Sequence, residues 1–303
     1  NVLEFKSKKI LNNKKTIIIL MSFFFLYFVK GIVKLNLLNL IFALDFLNLS
    51  TKKNLNILNN FTEDTKNFNY KNLLMPYEGY SWERLILMRA ITKKPSKRIG
   101  YHFSAISKHQ HSIFRKLQRK FQPDKIYTTG LYPKKKFKNK IDIPVKILGT
   151  NRHFSKIKRN FQGRKKFDFC VLPEGILSEC KKLFLFSLKC AYSYPSMKFI
   201  WRLHPSMNFN FVLNKLSLIK SQLPKNIYLS KNNFFKDMNN SKFCIYRGST
   251  SVITAIQNGV YPLYFNNNEE ISIDPIFDFE CWKTEINNSQ EFDQFIKNSS
   301  KLV

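Results

Sequence analysis

Hydrophobic and polar positions divide this chain into two textures. Up to about residue 60 the apolar residues run together between basic flanks, and Thr16 to Val29 (TIIILMSFFFLYFV) is almost unbroken. That run is shorter than the roughly 20 residues needed to cross a bilayer. It resumes as GIVKLNLLNLIFALDFLNL, interrupted by Lys34, Asn36, Asn39 and Asp45. The pattern predicts a buried or interfacial helix pair rather than a spanning helix. A signal peptide is disfavoured, because no small-residue cleavage site follows the apolar core. Residues 61–72 are polar and read as a loop.

From Leu73 the pattern changes to strands alternating with helices. Lys97 to Ser104 reads as a strand leading into a loop, and Asp124 to Thr129 and Val145 to Leu148 as short strands bounded by Gly130 and Gly149. Trp82 to Ile91 and Ile106 to Phe121 carry apolar residues at helical spacing. The second half keeps a strand-then-helix rhythm. Strands are predicted at Phe167–Leu172, Lys198–Leu203, Asn226–Leu229, Lys242–Tyr246 and Tyr261–Phe265. Helices are predicted at about Ile176–Tyr192, near Phe211–Gln222, and at Ser249–Asn258, with Gly259 just past the last. Such alternation calls for parallel sheets covered on both faces, an α/β class of fold. A basic stretch from Asn151 to Lys166 marks the expected boundary, giving domains 1–160 and 161–303.

Composition changes the picture in two ways. The net charge of +31, from 51 Lys and Arg against 20 Asp and Glu, creates a positive field that favours anionic partners. Nucleic acid, anionic lipid and nucleotide-sugar donors all qualify, although a chain so rich in Lys, Asn, Ile and Phe also fits an AT-rich coding bias. A nucleic-acid binder would suit the charge and the 15% aromatic content, but no recognition motif is present, so no nucleic-acid partner is expected. The five cysteines (170, 180, 190, 244 and 281) form no C-x-x-C pair and read as reduced thiols of a cytosolic protein. No metal-ligand cluster and no cofactor is expected.

The candidate chemistry gathers at strand ends. Arg202-Leu203-His204-Pro205 follows one strand, and Arg247-Gly248-Ser249-Thr250-Ser251 follows another. Hydroxyls and free N–H groups at a helix start suit a phosphate, and Arg pairs phosphate oxygens in a bidentate manner. His204, held extended before Pro205, could donate a hydrogen bond to a leaving phosphate or protonate it. Glu174-Gly175 offers a loop whose backbone approaches the donor, and a second seat for a base. In the first half, Glu78 lies in a turn before a helix and could deprotonate an acceptor hydroxyl. Glu83 suits the first helical turn, and His102 a strand end within reach of acceptor or donor. His109 and His111 read as solvated loop residues. In doubly wound folds the strand C-termini face the ligand crevice, which would bring the second-half segments together on one edge.

Taken in order, Glu-Gly in the first half, His-Pro in the second and a Ser/Thr pair after it resemble the motif set of bacterial sialyltransferases of the GT-B fold. Related sets occur in Kdo transferases and capsule polymerases. The run YEGYSWER…RIGYHFSAISKHQ…QPDKIYTTG…VLPEG…RLHP…YRGSTSVITAIQNGVYPLYF, over roughly residues 73 to 266, is similar to bacterial surface-carbohydrate (capsule and O-antigen) biosynthesis proteins. The resemblance implies two Rossmann-like domains facing a cleft, the first lacking its opening strand–helix units and so N-terminally truncated. It implies a metal-independent glycosyltransferase with a CMP-activated keto-sugar donor, such as sialic acid or Kdo, and a glycan or glycolipid acceptor. Glu78 would be the general base. His204, Ser249 and Thr250 would hold the donor phosphate, beside Glu174, Gly175, Arg202, Pro205, Arg247, Gly248 and Ser251. The family motif has two acids before its Gly, whereas here Tyr77 precedes Glu78. The expected location is the cytoplasmic face of the inner membrane, with the basic surface and apolar start near an anionic lipid surface. Transfer of a polyol phosphate from a CDP donor would reuse the same contacts and is the alternative chemistry.

Overall fold

A computed structural model of the chain describes residues 14–34, 36–93, 97–109, 112–151, 165–268 and 270–299. Most of the basic stretch around 151–166, and His111, lie outside these residues. The chain packs as two compact units. One comprises Asn1–Ser104 with His111–Thr150, the other Ala105–Gln110 with Asn151–Val303.

The first unit opens with helices α1 (Lys14–Val33), α2 (Leu37–Leu47) and α3 (Leu49–Asp64). Asparagines interrupting the apolar run act as helix starts. Asn36 Oδ1 accepts the N–H groups of Leu38 and Asn39, and Asn48 Oδ1 that of Ser50. These bonds satisfy N–H groups that a helix start leaves without partners. No helix among the described residues is long and apolar enough to cross a membrane. The α/β part follows as β1 (Asn72–Pro76), α4 (Ser81–Lys93), β2 (Lys97–His102), β3 (Lys125–Thr128), α5 (Leu131–Phe137) and β4 (Val145–Ile147). Its four strands are parallel and pair in chain order.

Among the described residues of Ile106–Phe121 the predicted helix does not form, and the helical structure they show is a short 3-10 turn at Arg119–Phe121. Arg84 explains the difference. Buried on α4, it reaches the carbonyls of Ser112 (2.6 Å), Arg115 (3.4 Å) and Phe121 (3.4 Å). Carbonyls that converge on one guanidinium point to a common centre, whereas those of a helix run parallel to its axis, and only single turns such as Arg115 N–H to the Ser112 carbonyl (3.4 Å) remain among the described residues.

The second unit runs β5 (Phe167–Leu172), α6 (Leu177–Ser193), β6 (Phe199–Trp201), α7 (Phe209–Lys215), β7 (Ile227–Leu229), α8 (Phe234–Asn239), β8 (Ser241–Tyr246), α9 (Ser251–Gln257), β9 (Tyr261–Phe265), β10 (Thr284–Ile286) and α10 (Ser289–Ser299). The sheet is wholly parallel in the order β7-β6-β5-β8-β9-β10. Numbered from β5, that is 3-2-1-4-5-6, the doubly wound Rossmann order. Alternate side chains feed two cores. Phe169, Val171, Phe243 and Ile245 join the core with α6, α7 and α10, where Trp201 stacks on Phe184 at 4.3 Å. Cys170, Leu172, Cys244 and Tyr246 join the one under α8 and α9. Burial on both faces is why these strands read as unbroken apolar runs. Four of the cysteines are buried filler and Cys281 is exposed.

Candidate functional site

In a doubly wound sheet, ligands sit beyond the strand C-termini where the order reverses. Here that switch point lies between β5 and β8. Leu172 pairs with Tyr246 and Val171 with Trp201, so the three strands end side by side. The loops Pro173–Gly175, Arg202–Pro205 and Arg247–Ser251 therefore emerge on one edge, and they touch. Glu174 Oε1 accepts the Gly248 N–H. A Cβ on Gly248 would stand 2.6 Å from that carboxylate oxygen and 2.9 Å from Ile273. A Cβ on Gly175 would lie 3.0 Å from His204 Nδ1. Glu174 and Gly175 thus link the imidazole to the Ser/Thr turn.

His204 is exposed at this edge. Its Nδ1 accepts the Ser206 N–H at 3.3 Å and lies 2.8 Å from the Ser206 hydroxyl. A backbone N–H can only donate, so the neutral ring carries its proton on Nε2. That N–H is a donor for an anionic oxygen. Pro205 beside it is also exposed. Arg202, two residues earlier, ties the strand end down. Its guanidinium meets buried Asp237 at 2.6 Å and the Asn232 carbonyl at 2.9 Å.

The Ser/Thr turn brings hydroxyls rather than a long helix start. Thr250 occupies the cap position without a side-chain cap bond, and α9 has seven residues. Ser249 is nearly buried, Ser251 is half-buried and Thr250 is exposed. Arg247 departs from expectation. It is 2% exposed, and its fork is spent on Glu179 (2.7 Å), Glu270 (2.9 Å) and the Phe265 carbonyl (3.3 Å). Lys182 bonds the same two glutamates. Burial pushes Glu179 upward, but the hydrogen bonds from Arg247 and Lys182 outweigh it and hold its carboxyl below the ordinary value. Arg247 is therefore a brace under the turn, with its charge met internally. Glu179 and Glu270 were not among the predicted site residues. Only the Glu179–Lys182 spacing on α6 is a local signal for this network.

Glu174 Oε2 is buried without a hydrogen-bond partner. Burial raises its carboxyl pKa, against the Gly248 N–H and Arg247, which pull it down. A separate cavity of about 810 Å³ lies beside the ends of β9 and β10, lined among others by Asp274, Asp278, Glu280 and Glu285. Its acidic wall suits a phosphate poorly, and none of the three loops borders it.

In the first unit the Glu78 turn is stapled from two sides. Glu83 Oε2 accepts the N–H groups of Glu78 (2.9 Å), Gly79 (2.7 Å) and Tyr80 (2.9 Å). Arg84 Nε holds the Gly79 carbonyl at 2.9 Å, and Ser112 Oγ the Glu78 carbonyl at 2.8 Å. Gly79 sits at φ +82°, where only glycine is relaxed. The Glu78 side chain stays half-buried, free of this stapling. Two expected contact residues are instead internal. Glu83 is 1% exposed and spends its carboxylate on the turn, and burial raises its pKa. His102 is fully buried, its ring edge-on to Phe137 at 5.1 Å, and burial lowers its pKa to about 4. Neither presents a face to a ligand.

No family model matches the chain. No curated protein matches it either. Its fold is nonetheless shared with solved structures. UDP-GlcNAc 2-epimerase from Neisseria meningitidis bound to UDP-GlcNAc aligns at 15% identity and TM-score 0.52, over 82% of this chain and 74% of that one. MnaA of S. aureus in complex with UDP aligns at 12% and 0.53, over 83% and 73%. MurG of Acinetobacter baumannii aligns at 9% and 0.51, over 81% and 69%. At such identities the likeness is one of fold, and the fold is α/β of the GT-B type, with two Rossmann-like sheets.

Proposed function

We propose that this chain is a glycosyltransferase of surface-polysaccharide synthesis that grips the phosphate of a pyrimidine-nucleotide sugar at the β5/β8 switch point. The observation that carries the reading is the joining of three strand-end loops there, through Glu174 to Gly248 and Gly175 to His204. In the reaction, a base takes the proton of an acceptor hydroxyl, whose oxygen attacks the anomeric carbon. The bond from that carbon to the donor phosphate breaks, and the phosphate leaves with its electron pair. His204 Nε2–H and the hydroxyls of Ser249 and Thr250 then meet the growing negative charge, where a preplaced donor acts most strongly. Glu78 is the base in this reading, since the backbone of its turn is held by Glu83, Arg84 and Ser112 while its own carboxylate meets only the Tyr80 hydroxyl. Arg202 and Arg247 fix the loops rather than touch the donor.

The donor nucleotide is the finer question. The motif order favours CMP carrying a keto-sugar such as sialic acid or Kdo, whereas two proteins of similar fold hold uridine nucleotides in their structures. The acceptor is a glycan or glycolipid, reached from the cytoplasmic face of the inner membrane. Thermal unfolding with CMP, CDP and UDP tests the site and ranks the donors together. Ligand at about 100 times its Kd stabilises by about 2.7 kcal/mol, and His204→Ala should abolish that shift. If none of the three raises the melting temperature, or the shift survives His204→Ala undiminished, the site is misassigned.

A further inference from the structure

The first two helices leave a large apolar surface bare. One seam joins them: Phe23 stacks on Phe46 at 5.3 Å, and Tyr27 meets Phe42 and Phe46. Gly31 marks their closest approach, since a Cβ there would stand 2.6 Å from Leu40 Cδ2 and 3.1 Å from its backbone nitrogen. Outside that seam most of the described side chains are exposed, with Ala43 the buried exception on α2. Of the 34 exposed large hydrophobic residues among those described, 17 fall between Ile17 and Leu49. Phe25, Val29, Val33, Leu37 and Leu44 are each more than half exposed. Soluble monomers rarely show contiguous apolar patches beyond about a few hundred Å².

Charge and length decide what covers this surface. Residues 16–44 contain no acid, and Lys30 and Lys34 stand exposed at the end of α1, with Lys53 exposed early in α3. The whole chain carries +31. A second copy would bring like charges together, whereas anionic headgroups complement them. Besides the lysines, the exposed polar side chains described on the hairpin are Ser22 on α1, Asn36 at the connection and Asp45 near the end of α2, and helices satisfy their own backbone groups, as hydrocarbon requires. Helix α2, with 11 residues, is about 16 Å long by its rise per residue, about half a bilayer core, and α1, with 20 residues and about 30 Å, is not apolar enough to cross one.

We propose that the α1–α2 hairpin is a monotopic anchor that beds into one leaflet of an anionic membrane, its lysines at the headgroups. This extends the membrane location read above, and its test uses no nucleotide, so the two readings fail separately. The full chain, kept in mild detergent, is diluted into vesicles of phosphatidylcholine alone or with 30% phosphatidylglycerol, and flotation is measured. The wild type should float with the anionic vesicles and several-fold less with the neutral ones. Phe25→Glu/Val29→Glu/Leu44→Glu should lower partitioning at least tenfold, and Lys30→Glu/Lys34→Glu should remove the preference for anionic lipid. Because the triple variant could misfold, Phe25→Trp provides a second reading. Its added emission, relative to the parent chain, should shift to the blue and be quenched by dibrominated lipid. Partitioning equal in the triple variant and the wild type, an unquenched Phe25→Trp, or a stable dimer without lipid binding that Leu44→Glu splits would each overturn the anchor.

Discussion

Two Glu-Gly turns stand at strand ends in this molecule, one in each unit, and they are built in opposite senses. At Glu78-Gly79 the backbone is the object of attention. Three N–H groups go to Glu83 and the carbonyls to Arg84 and Ser112, while the Glu78 carboxylate holds no backbone group and meets only the Tyr80 hydroxyl. At Glu174-Gly175 the carboxylate itself is the strut, turned inward to the Gly248 N–H, and the glycine makes room for an imidazole. The same dipeptide can thus present a carboxylate or consume it. The neighbours decide: the acidic residue at the start of α4 relieves Glu78 of a structural task, whereas the one at the start of α6, Glu179, is spent on Arg247 and Lys182 and leaves Glu174 to hold the Gly248 N–H. This favours Glu78 over Glu174 as the seat of a base.

The sharpest way to break the comparison is to add a side chain at each glycine. At Gly79 a Cβ would lie 2.5 Å from the Ser112 carbonyl oxygen and 2.6 Å from Ile113 Cα, both backbone atoms, at a positive φ. Gly79→Val should cost about 4 kcal/mol, from left-handed strain of about 1–2 and overpacking of about 1–3, seen as a lowered urea midpoint. Close behind comes His102, under the same turn's sheet. Its neutral form is favoured in the folded chain, so its contribution is complete above pH 6.5 and is lost as pH falls through about 4. That shift corresponds to about 3 kcal/mol. His102→Gln should flatten the fall in stability between pH 6.5 and 4; an unchanged slope would show that the acid lability lies elsewhere.

Replacing Glu83 tests the staple directly. Glu83→Ala orphans three N–H groups, that of Gly79 buried and those of Glu78 and Tyr80 partly so, and should cost about 2 kcal/mol, with faster amide exchange at Gly79 and Tyr80 as the local signature. Gly175→Ala should behave differently. Its new methyl would press on a side chain at 3.0 Å rather than on backbone, so stability should change by less than about 1 kcal/mol. The loss should appear instead in nucleotide-induced stabilisation, because the imidazole is displaced. Equal stability losses at Gly79 and Gly175 would erase the distinction between the two turns.

The parts of this architecture that are legible in the sequence are those buried on both faces. Phe167–Leu172 and Tyr261–Phe265 end where their apolar runs end, because central parallel strands carry no polar alternation to blur them. Short edge elements such as β10 and α8 escape notice, being too brief for any period to develop. Ile106–Phe121 misleads for a subtler reason. Its apolar spacing suits a helix, yet the competing demand is Arg84, up to 37 residues away, for carbonyls. Arg247 misleads in the same way: its partners Glu179 and Glu270 lie 68 and 23 positions off. Residue type and position at a strand end are readable, but whether a charge faces out or is already paired depends on long-range neighbours.

The smallest effect concerns the inward carboxyl. Burial raises the pKa of Glu174, so the folded chain favours its protonated form. That contribution is complete below the ordinary value near 4.5 and is lost as pH rises through the raised one. Glu174→Gln keeps an oxygen for the Gly248 N–H and removes the ionisation. The variant should therefore match the wild type in acid and gain on it as pH climbs toward 8, followed as the difference in melting temperature. A difference that runs the other way, with the variant falling behind at high pH, would mean that the ionised carboxylate is the stabilising form and that Glu174 is held as a charge for the loop rather than as a neutral strut.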